Sequence, residues 1–387
     1  MTFGLSRYGI GDNKMIKVLF LINTLGGGGA EKILVETVNN LDKSKYQITV
    51  QTVFDEGVHK KDLSSNVRYK TIIPFKQGMF RSIYARFLVK ILGCSFIYKF
   101  FVKDKYDYEI AFLEGLPTKI ISKSKSKNGK KYAWLHTDLN AYPNSYKIFG
   151  SEKVEAKAYK TFDKIFCVSE NVKTALQKKY DITHDKIGVV YNIVDNEKIL
   201  SAAQENAVIP AKINPVFVSA GRLTWVKGYE RLLKVHHRLI NEGLAHSVMI
   251  LGDGEERNAL ESYISENNLE RTAFLVGFQK NPYKYISKSD LFICSSFAEG
   301  YSTVVSEAVI CGVPVLSTDV AGAKEPIHSP RCSIVVENNE EALYAALKNI
   351  LMSEQMLIDL KKDVTLRREF LKKEYLIQKF EEEVFTK

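Results

Sequence analysis

Arg222 and Lys227 fall in one short segment, SAGRLTWVKGYERLL, between an apolar run and a helical pattern. A fixed guanidinium fork beside a mobile ammonium suits the neutralisation of a diphosphate, although two solvated surface cations have the same spacing. Glu299 and Glu307 stand eight positions apart in SSFAEGYSTVVSEAVICG, which puts Glu307 about two turns up a helix that opens near Thr303. Gly300, Tyr301, Ser302 and Thr303 offer backbone donors at that helix start, a setting that suits a phosphate. Glu307 is then placed to accept hydrogen bonds from a ribose, and Glu299 to face a neutral polyol such as a sugar. The plainer reading of the two carboxylates is a capping group and a solvated one. A third segment, LGDGEERNAL, carries Gly252 and Gly254 in another turn between an apolar run and a helical pattern.

Four consecutive glycines in LINTLGGGGAEK, Gly26 to Gly29, pose a separate question. Gly26 and Gly28 begin a G-x-G-x-x-G dinucleotide fingerprint, but its third glycine is replaced by Glu31, which speaks against an NAD enzyme. No G-K-[ST] follows, so a P-loop is excluded. What remains is a loop at a helix N-terminus that an anionic ligand can approach closely, or a tight strand-to-helix turn with no ligand.

All of these segments need strands to end on and helices to begin. Short β-branched runs alternate with amphipathic helical patterns throughout, the mark of parallel sheets with crossover helices. In the first half, strands are predicted at Lys17 to Asn23, Gln47 to Val53, Tyr108 to Phe112, Lys131 to Leu135 and Lys164 to Val168, with helices at Glu31 to Leu41 and Glu170 to Lys179. A polar stretch, NEKILSAAQENAVIPAKINP, reads as a linker. A second series then places strands at Val216 to Ala220, Val248 to Leu251, Ala273 to Val276, Leu291 to Cys294 and Val313 to Ser317. Its helices are predicted at Tyr229 to Asn241, Glu255 to Asn267 and Thr303 to Cys311. The expectation is two doubly wound domains, residues 1–193 and 215–365, joined by a linker at 194–214, with a C-terminal helix over 366–387 packing back on the first domain. Ligands of open parallel sheets bind beyond the carboxyl ends of the strands, so two such sheets face to face make a cleft lined by these loops.

Composition narrows the partners. Five cysteines form neither a C-x-x-C pair nor a cluster with histidine, which argues against zinc and disulfides and for a reducing, cytoplasmic compartment. The residues ahead of Met15 are expected to be a dispensable leader. The longest apolar stretch, Phe87 to Val102, is broken by Lys90 and Lys99, so no membrane span is expected. The net charge of +10 is lopsided: residues 1 to 193 hold 32 Lys+Arg against 18 Asp+Glu, whereas the remainder is net acidic. In that basic half, FRSIYARFLVKILGCSFIYKFFVKDKY interleaves six cations with aromatics and KIISKSKSKNGKKY adds six lysines. The pattern fits an amphipathic element on an anionic membrane, or a core helix beside a solvated loop. A basic nucleic-acid binder is the rival from another class, but no helix-turn-helix, RNP or zinc pattern supports it.

Taken together, the motifs resemble retaining glycosyltransferases of family 4, of bacterial surface-polysaccharide type. The resemblance covers nearly the whole chain after Met15 and rests on Gly26 to Glu31, His136 in AWLHTD, the GRL-to-KG segment, the Gly252-Asp253-Gly254 turn and the Glu299/Glu307 pair. It implies the GT-B fold, two Rossmann-like domains around a cleft. It also implies a hexosyl transfer from a nucleotide diphosphate sugar, UDP-linked by family frequency, to a hydroxyl of a glycan or lipid-linked acceptor. By position, Arg222 and Lys227 bind the diphosphate and stabilise the leaving group, Glu299 binds donor-sugar hydroxyls, and Glu307 holds the ribose. His136 lies near the reacting centre, a role that a histidine at a strand end shares with plain structural hydrogen bonding. Gly27, Gly28 and Gly29 close over the diphosphate from the first domain, which receives the acceptor and attaches peripherally to the cytoplasmic leaflet.

No metal or other cofactor is expected, because Asp107-Tyr108-Glu109, the nearest match to a metal-holding D-x-D motif, falls within a predicted strand. Cations and helix N-termini are expected to take the metal's place. A covalent intermediate needs a placed carboxylate, for which Asp138 is the weak candidate; the resemblance implies front-face attack assisted by the leaving phosphate. Two rivals share the fold: a nucleotide-sugar 2-epimerase, which turns over donor without an acceptor, and an inactive partner subunit, which would have lost a key cation or glutamate.

Overall fold

The computed structural model describes residues 15–74, 87–137, 139, 145–210, 213–327 and 333–385. The leader ahead of Met15, Asp138 and the start of the basic aromatic segment lie outside these residues.

Thirteen strands among the described residues form two sheets. The first sheet contains β1 (Ile16–Ile22), β2 (Tyr46–Phe54), β3 (Arg68–Ile73), β4 (Tyr108–Ala111), β5 (Lys130–Leu135), β6 (Lys164–Cys167) and β7 (Ile187–Val189), ordered β3-β2-β1-β4-β5-β6-β7. The second contains β8 (Val216–Ala220), β9 (Ser247–Leu251), β10 (Ala273–Gly277), β11 (Leu291–Cys294), β12 (Val315–Thr318) and β13 (Ser333–Val336), ordered β10-β9-β8-β11-β12-β13. Neighbouring strands run parallel, as in β1 against β2 and β4 and in β8 against β9 and β11. Both sheets are therefore doubly wound and Rossmann-like, and in each the order turns back beside the first strand. By compactness the chain divides into residues up to 133 together with 152–163, and residues 134–151 together with 164 onward.

Strands covered by helices on both faces must be apolar along their whole length. Accordingly, Val18 to Ile22 of β1 are completely buried. The strands that the sequence did not reveal are β3, β7 and β13, each at the edge of its sheet. One of them is only three residues long, and the other two are partly solvated. The helix Tyr229–Asn241 matches its expected bounds and buries Leu232, Leu233, Val235 and Leu239 against the second core.

The polar stretch read as a linker begins with a helix, Asn196–Ala203. The carbonyls of Ala202 and Ala203 accept hydrogen bonds from Asn281 and Ser287, so these residues are part of the second unit's packing. At the C-terminus, Phe380 of the helix Lys373–Phe385 stacks on Trp134 of β5 with ring centroids 5.2 Å apart.

Candidate active site

In the second sheet the strand order turns back between β8 and β11, and the segments with chemical potential leave their C-terminal ends. The segment after β8 runs through a tight turn, Trp225–Lys227, to Gly228, whose φ of 65° falls in the left-handed region. A Cβ there would also collide with the Ser295 carbonyl of the segment after β11. The two segments are stitched together at this point. The Phe297 amide donates to the Val226 carbonyl at 2.7 Å, and the Ser295 hydroxyl donates to the Lys227 carbonyl at 2.9 Å. Arg231 of the helix Tyr229–Asn241 is buried beneath them. Its guanidinium donates to the carbonyls of Ser295 and Ser296 and, at 2.9 Å, to Asn338 Oδ1.

This bracing sets Lys227 against Glu299. Lys227 Nζ lies 2.6 Å from Glu299 Oε1, and the Ser296 hydroxyl donates to the same oxygen at 2.7 Å. With side chains 23% and 11% exposed, the pair is largely shielded from water, where a charge-assisted bond keeps more of its strength. Arg222 is far more open, at 75% side-chain exposure, and among the described residues its ion-pair partner is a distant carboxylate, Glu255, at 3.8 Å. A cation with so loose a partner can turn to an incoming anion at little cost.

Glu299 leads directly into the helix Thr303–Ile310, which starts at Ser302 with no side-chain cap. Its first amides are available to an acceptor, and the helix dipole favours an anionic one. Gly300 sits where three stretches of backbone converge: a Cβ on it would strike the His136 carbonyl, and a Cβ on Gly322 would strike Gly300 itself. The Ser302 amide donates to the Gly322 carbonyl at 2.9 Å. Close backbone contact thus brings His136, at the end of β5, beside the segment that carries Glu299. Burial pulls the His136 imidazole from 6.5 down to about 3, so the ring is neutral at physiological pH and can exchange hydrogen bonds with hydroxyls.

Glu307 is only 2% exposed and accepts a hydrogen bond from Tyr283 Oη at 3.3 Å. The Tyr301 side chain is also buried, with its hydroxyl 3.2 Å from that of Ser306, which leaves its backbone as the part a ligand could use. For Gly252 and Gly254 the space a Cβ needs is filled by the carbonyls of Gly221 and Leu223, so packing of two neighbouring turns already accounts for them. Gly27 and Gly29 are different: nothing lies within 4 Å of a Cβ on either, and neither has a left-handed φ. Gly28 precedes the helix Gly29–Asn40 without a side-chain cap, and a Cβ there would meet only the flexible Glu31 carboxylate.

Of the D-x-D-like residues, Asp107 Oδ2 accepts the Lys17 amide at 2.8 Å, and Glu109 is buried with a hydrogen bond from Tyr98 Oη at 2.7 Å. Asp107 thus ties the start of β4 to β1, and Glu109 ties β4 to the helix Gly93–Phe101. Sequence reasoning missed Arg231 and Ser296, whose partners lie 64 and 65 residues away for the first and three away for the second. A charged residue on the apolar face of the helix Tyr229–Asn241 was the available sign for Arg231.

Comparison with known proteins bears on the family and the fold. Residues 27–198 match the model of Glycosyltransferase Family 4, and residues 203–366 match that of Glycosyl transferases group 1. A Campylobacter jejuni protein, N-acetylgalactosamine-N,N'-diacetylbacillosaminyl-diphospho-undecaprenol 4-alpha-N-acetylgalactosaminyltransferase, is 26% identical over 88% of this chain and 92% of its own length. An Escherichia coli UDP-Gal:alpha-D-GlcNAc-diphosphoundecaprenol alpha-1,3-galactosyltransferase is 25% identical over 63% of this chain and 66% of its own. Among solved structures, Anabaena HepE in complex with UDP and glucose superposes with a TM-score of 0.73 at 19% identity, covering 95% of this chain and 99% of HepE. Sucrose-phosphate synthase from Thermosynechococcus elongatus gives 0.75 at 17% identity, covering 94% and 97%. These matches favour neither the epimerase nor the nucleic-acid reading. The chain belongs to glycosyltransferase family 4 and is a glycosyltransferase with the GT-B fold.

Proposed function

We propose that this enzyme moves a hexosyl group from a UDP-sugar to a hydroxyl of a glycan or lipid-linked acceptor, with retention of configuration and without a metal, in bacterial surface-polysaccharide synthesis. The observation that carries this reading is the Lys227–Glu299 pair, held at 2.6 Å beside an uncapped helix N-terminus and His136. As the sugar–phosphate bond breaks, negative charge grows on the departing diphosphate. Lys227, the loosely partnered Arg222 and the amides of Gly300, Tyr301 and Thr303 are the groups that would stabilise it, the Ser302 amide being held by the Gly322 carbonyl. Glu299 takes hydroxyls of the donor sugar, Glu307 the ribose, and the neutral His136 imidazole a hydroxyl at the reacting centre. The bare backbone of Gly27 to Gly29 binds the anion from the start of its own helix, since neither packing nor φ asks for glycine at 27 or 29. Gly252 and Gly254 shape the donor pocket by letting the neighbouring turns pack closely.

UDP as the nucleotide and an acceptor carried on a lipid diphosphate are supported by the names of the E. coli and C. jejuni relatives. The helix Gly93–Phe101 buries Cys94 and Ile97 but leaves Phe100 exposed, as is Ile91 just before it. Together with the lysines around it, this surface supports peripheral attachment to an anionic membrane. No helix among the described residues is long and apolar enough to cross a membrane.

A panel of UDP-, GDP- and dTDP-sugars, scored for nucleotide release and thermal shift, tests the reading. One UDP-sugar should raise the Tm and release UDP without added metal, and the anomeric configuration of the product follows by NMR. If no nucleotide sugar shifts the Tm or is turned over, the proposal fails. Co-sedimentation with liposomes tests the membrane role, which ends if binding is independent of anionic lipid.

A further inference from the structure

Trp225 and Phe297 are, unlike most large apolar side chains of the second unit, left in solvent, at 64% and 42% exposure. They are not scattered singly. Their ring centroids lie 5.8 Å apart at 34°, one on each of the two stitched segments. Trp225 is two residues before Lys227 and Phe297 two residues before Glu299, the partners of the ion pair. Phe297 is fixed from below, since the Arg231 guanidinium lies 4.1 Å from its ring centre while its own amide and carbonyl are bonded to Val226 and Asn338. An exposed aromatic pair held this firmly is costly to leave in water and marks a contact surface.

The chemistry of the surroundings selects the occupant. The pair is bordered by hydrogen-bonding groups, the exposed Arg222 guanidinium on one segment and the exposed Asn338 side chain against the other. A pyranose has this double character, a C–H face that stacks on an aromatic ring and a rim of hydroxyls that exchange hydrogen bonds. We propose that Trp225 and Phe297 form a stacking platform for a pyranose ring of the acceptor glycan. The platform rests on the transferase reading and adds a sugar subsite on the second unit.

The chain has two tryptophans, and the other, Trp134, is buried, so the exposed indole dominates the response to quenchers. Full-length enzyme is titrated with the methyl glycosides of glucose, galactose, N-acetylglucosamine and N-acetylgalactosamine, and with cellobiose and N,N'-diacetylchitobiose. In parallel arms it meets UDP alone and phosphatidylglycerol vesicles alone. At least one saccharide should give a saturable blue shift with reduced acrylamide quenching, and Phe297→Ala, which keeps the indole, should weaken that response. With an acceptor that supports turnover, Trp225→Ala should raise the acceptor KM roughly tenfold, the scale of one aromatic contact, and Trp225→Phe should recover part of it. The proposal is overturned if none of the saccharides alters the fluorescence. It is equally overturned if UDP or vesicles alone produce the protection, or if the acceptor KM of Trp225→Ala equals that of the native enzyme. Nucleotide-sugar hydrolysis by the native enzyme is measured separately, so failure of the transferase reading is visible without reference to Trp225.

Discussion

Replacing Glu299 by Gln should strengthen UDP binding while weakening catalysis. The Lys227 ammonium is paired with Glu299 at 2.6 Å, so on the proposed roles a diphosphate competes with that carboxylate for the cation. A charge-assisted hydrogen bond contributes about 1.5–3 kcal/mol. Because the two side chains retain 23% and 11% exposure, solvent screening lowers the usable figure to about 1–2 kcal/mol. Glu299→Gln keeps the shape and the bond from Ser296 but removes the competing charge. Isothermal titration should therefore show UDP bound about 5- to 30-fold more tightly. The kcat should fall at least about tenfold, because the donor sugar's hydroxyls lose a charged acceptor. In the double variant Lys227→Met/Glu299→Gln the gain in UDP affinity should vanish, which assigns it to the ammonium. UDP bound no more tightly by Glu299→Gln than by the native enzyme would refute the reasoning, since it would mean that Lys227 is not the diphosphate's partner.

Two glycine substitutions should separate ligand approach from packing. Gly27→Ala has open space and should leave the Tm within about 1 °C of native while reducing donor affinity, whereas Gly300→Ala must displace the His136 backbone and should lower the Tm by several degrees. Full activity in Gly27→Ala would sink the anion-binding role of the loop. The pH dependence of stability has a definite sign. Burial lowers His136 and His236 to about 3 and lowers His246 as well, so at these three sites the unfolded chain binds more protons below about 6.5, outweighing Glu325, which burial raises to about 7 and which acts in the opposite sense. Thermal melts should accordingly show stability held above about pH 6.5 and lost as the pH falls, with a shallower decline in His236→Gln. Arg231→Met should cost about 2–4 kcal/mol in a denaturant titration, because the carbonyls of Ser295 and Ser296 and the Asn338 side chain lose a buried donor.

Much of the scaffold was legible in the sequence because parallel strands covered on both faces must be apolar, a demand met by β11 throughout, by β1 from Val18 to Ile22 and by β8 from Val216 to Val218. The edges were harder to read, since β3 and β13 meet solvent and mix polar with apolar residues as a loop does. Lys227 and Glu299 were picked out as chemically capable, but their ion pair depends on a return of the chain 72 residues later. Arg231 was hidden for the same reason, since a lone cation in a helix looks solvated until the carbonyls it supports are known. Gly252 and Gly254 show the opposite ambiguity. Glycine in a turn reads as room for a ligand, and only coordinates reveal that a neighbouring carbonyl fills that room.

The junction of the His136 carbonyl with Gly300 and Gly322 also constrains how enzymes of this build can diverge. No side chain fits at Gly300 or Gly322 without backbone movement, so single substitutions there cannot adjust the junction gradually. Solvent-facing positions on the adjoining turns, Trp225 and Arg222 among them, can change with little strain. On the proposed roles, new acceptor preferences should therefore arise by mutation at that periphery rather than at the junction itself.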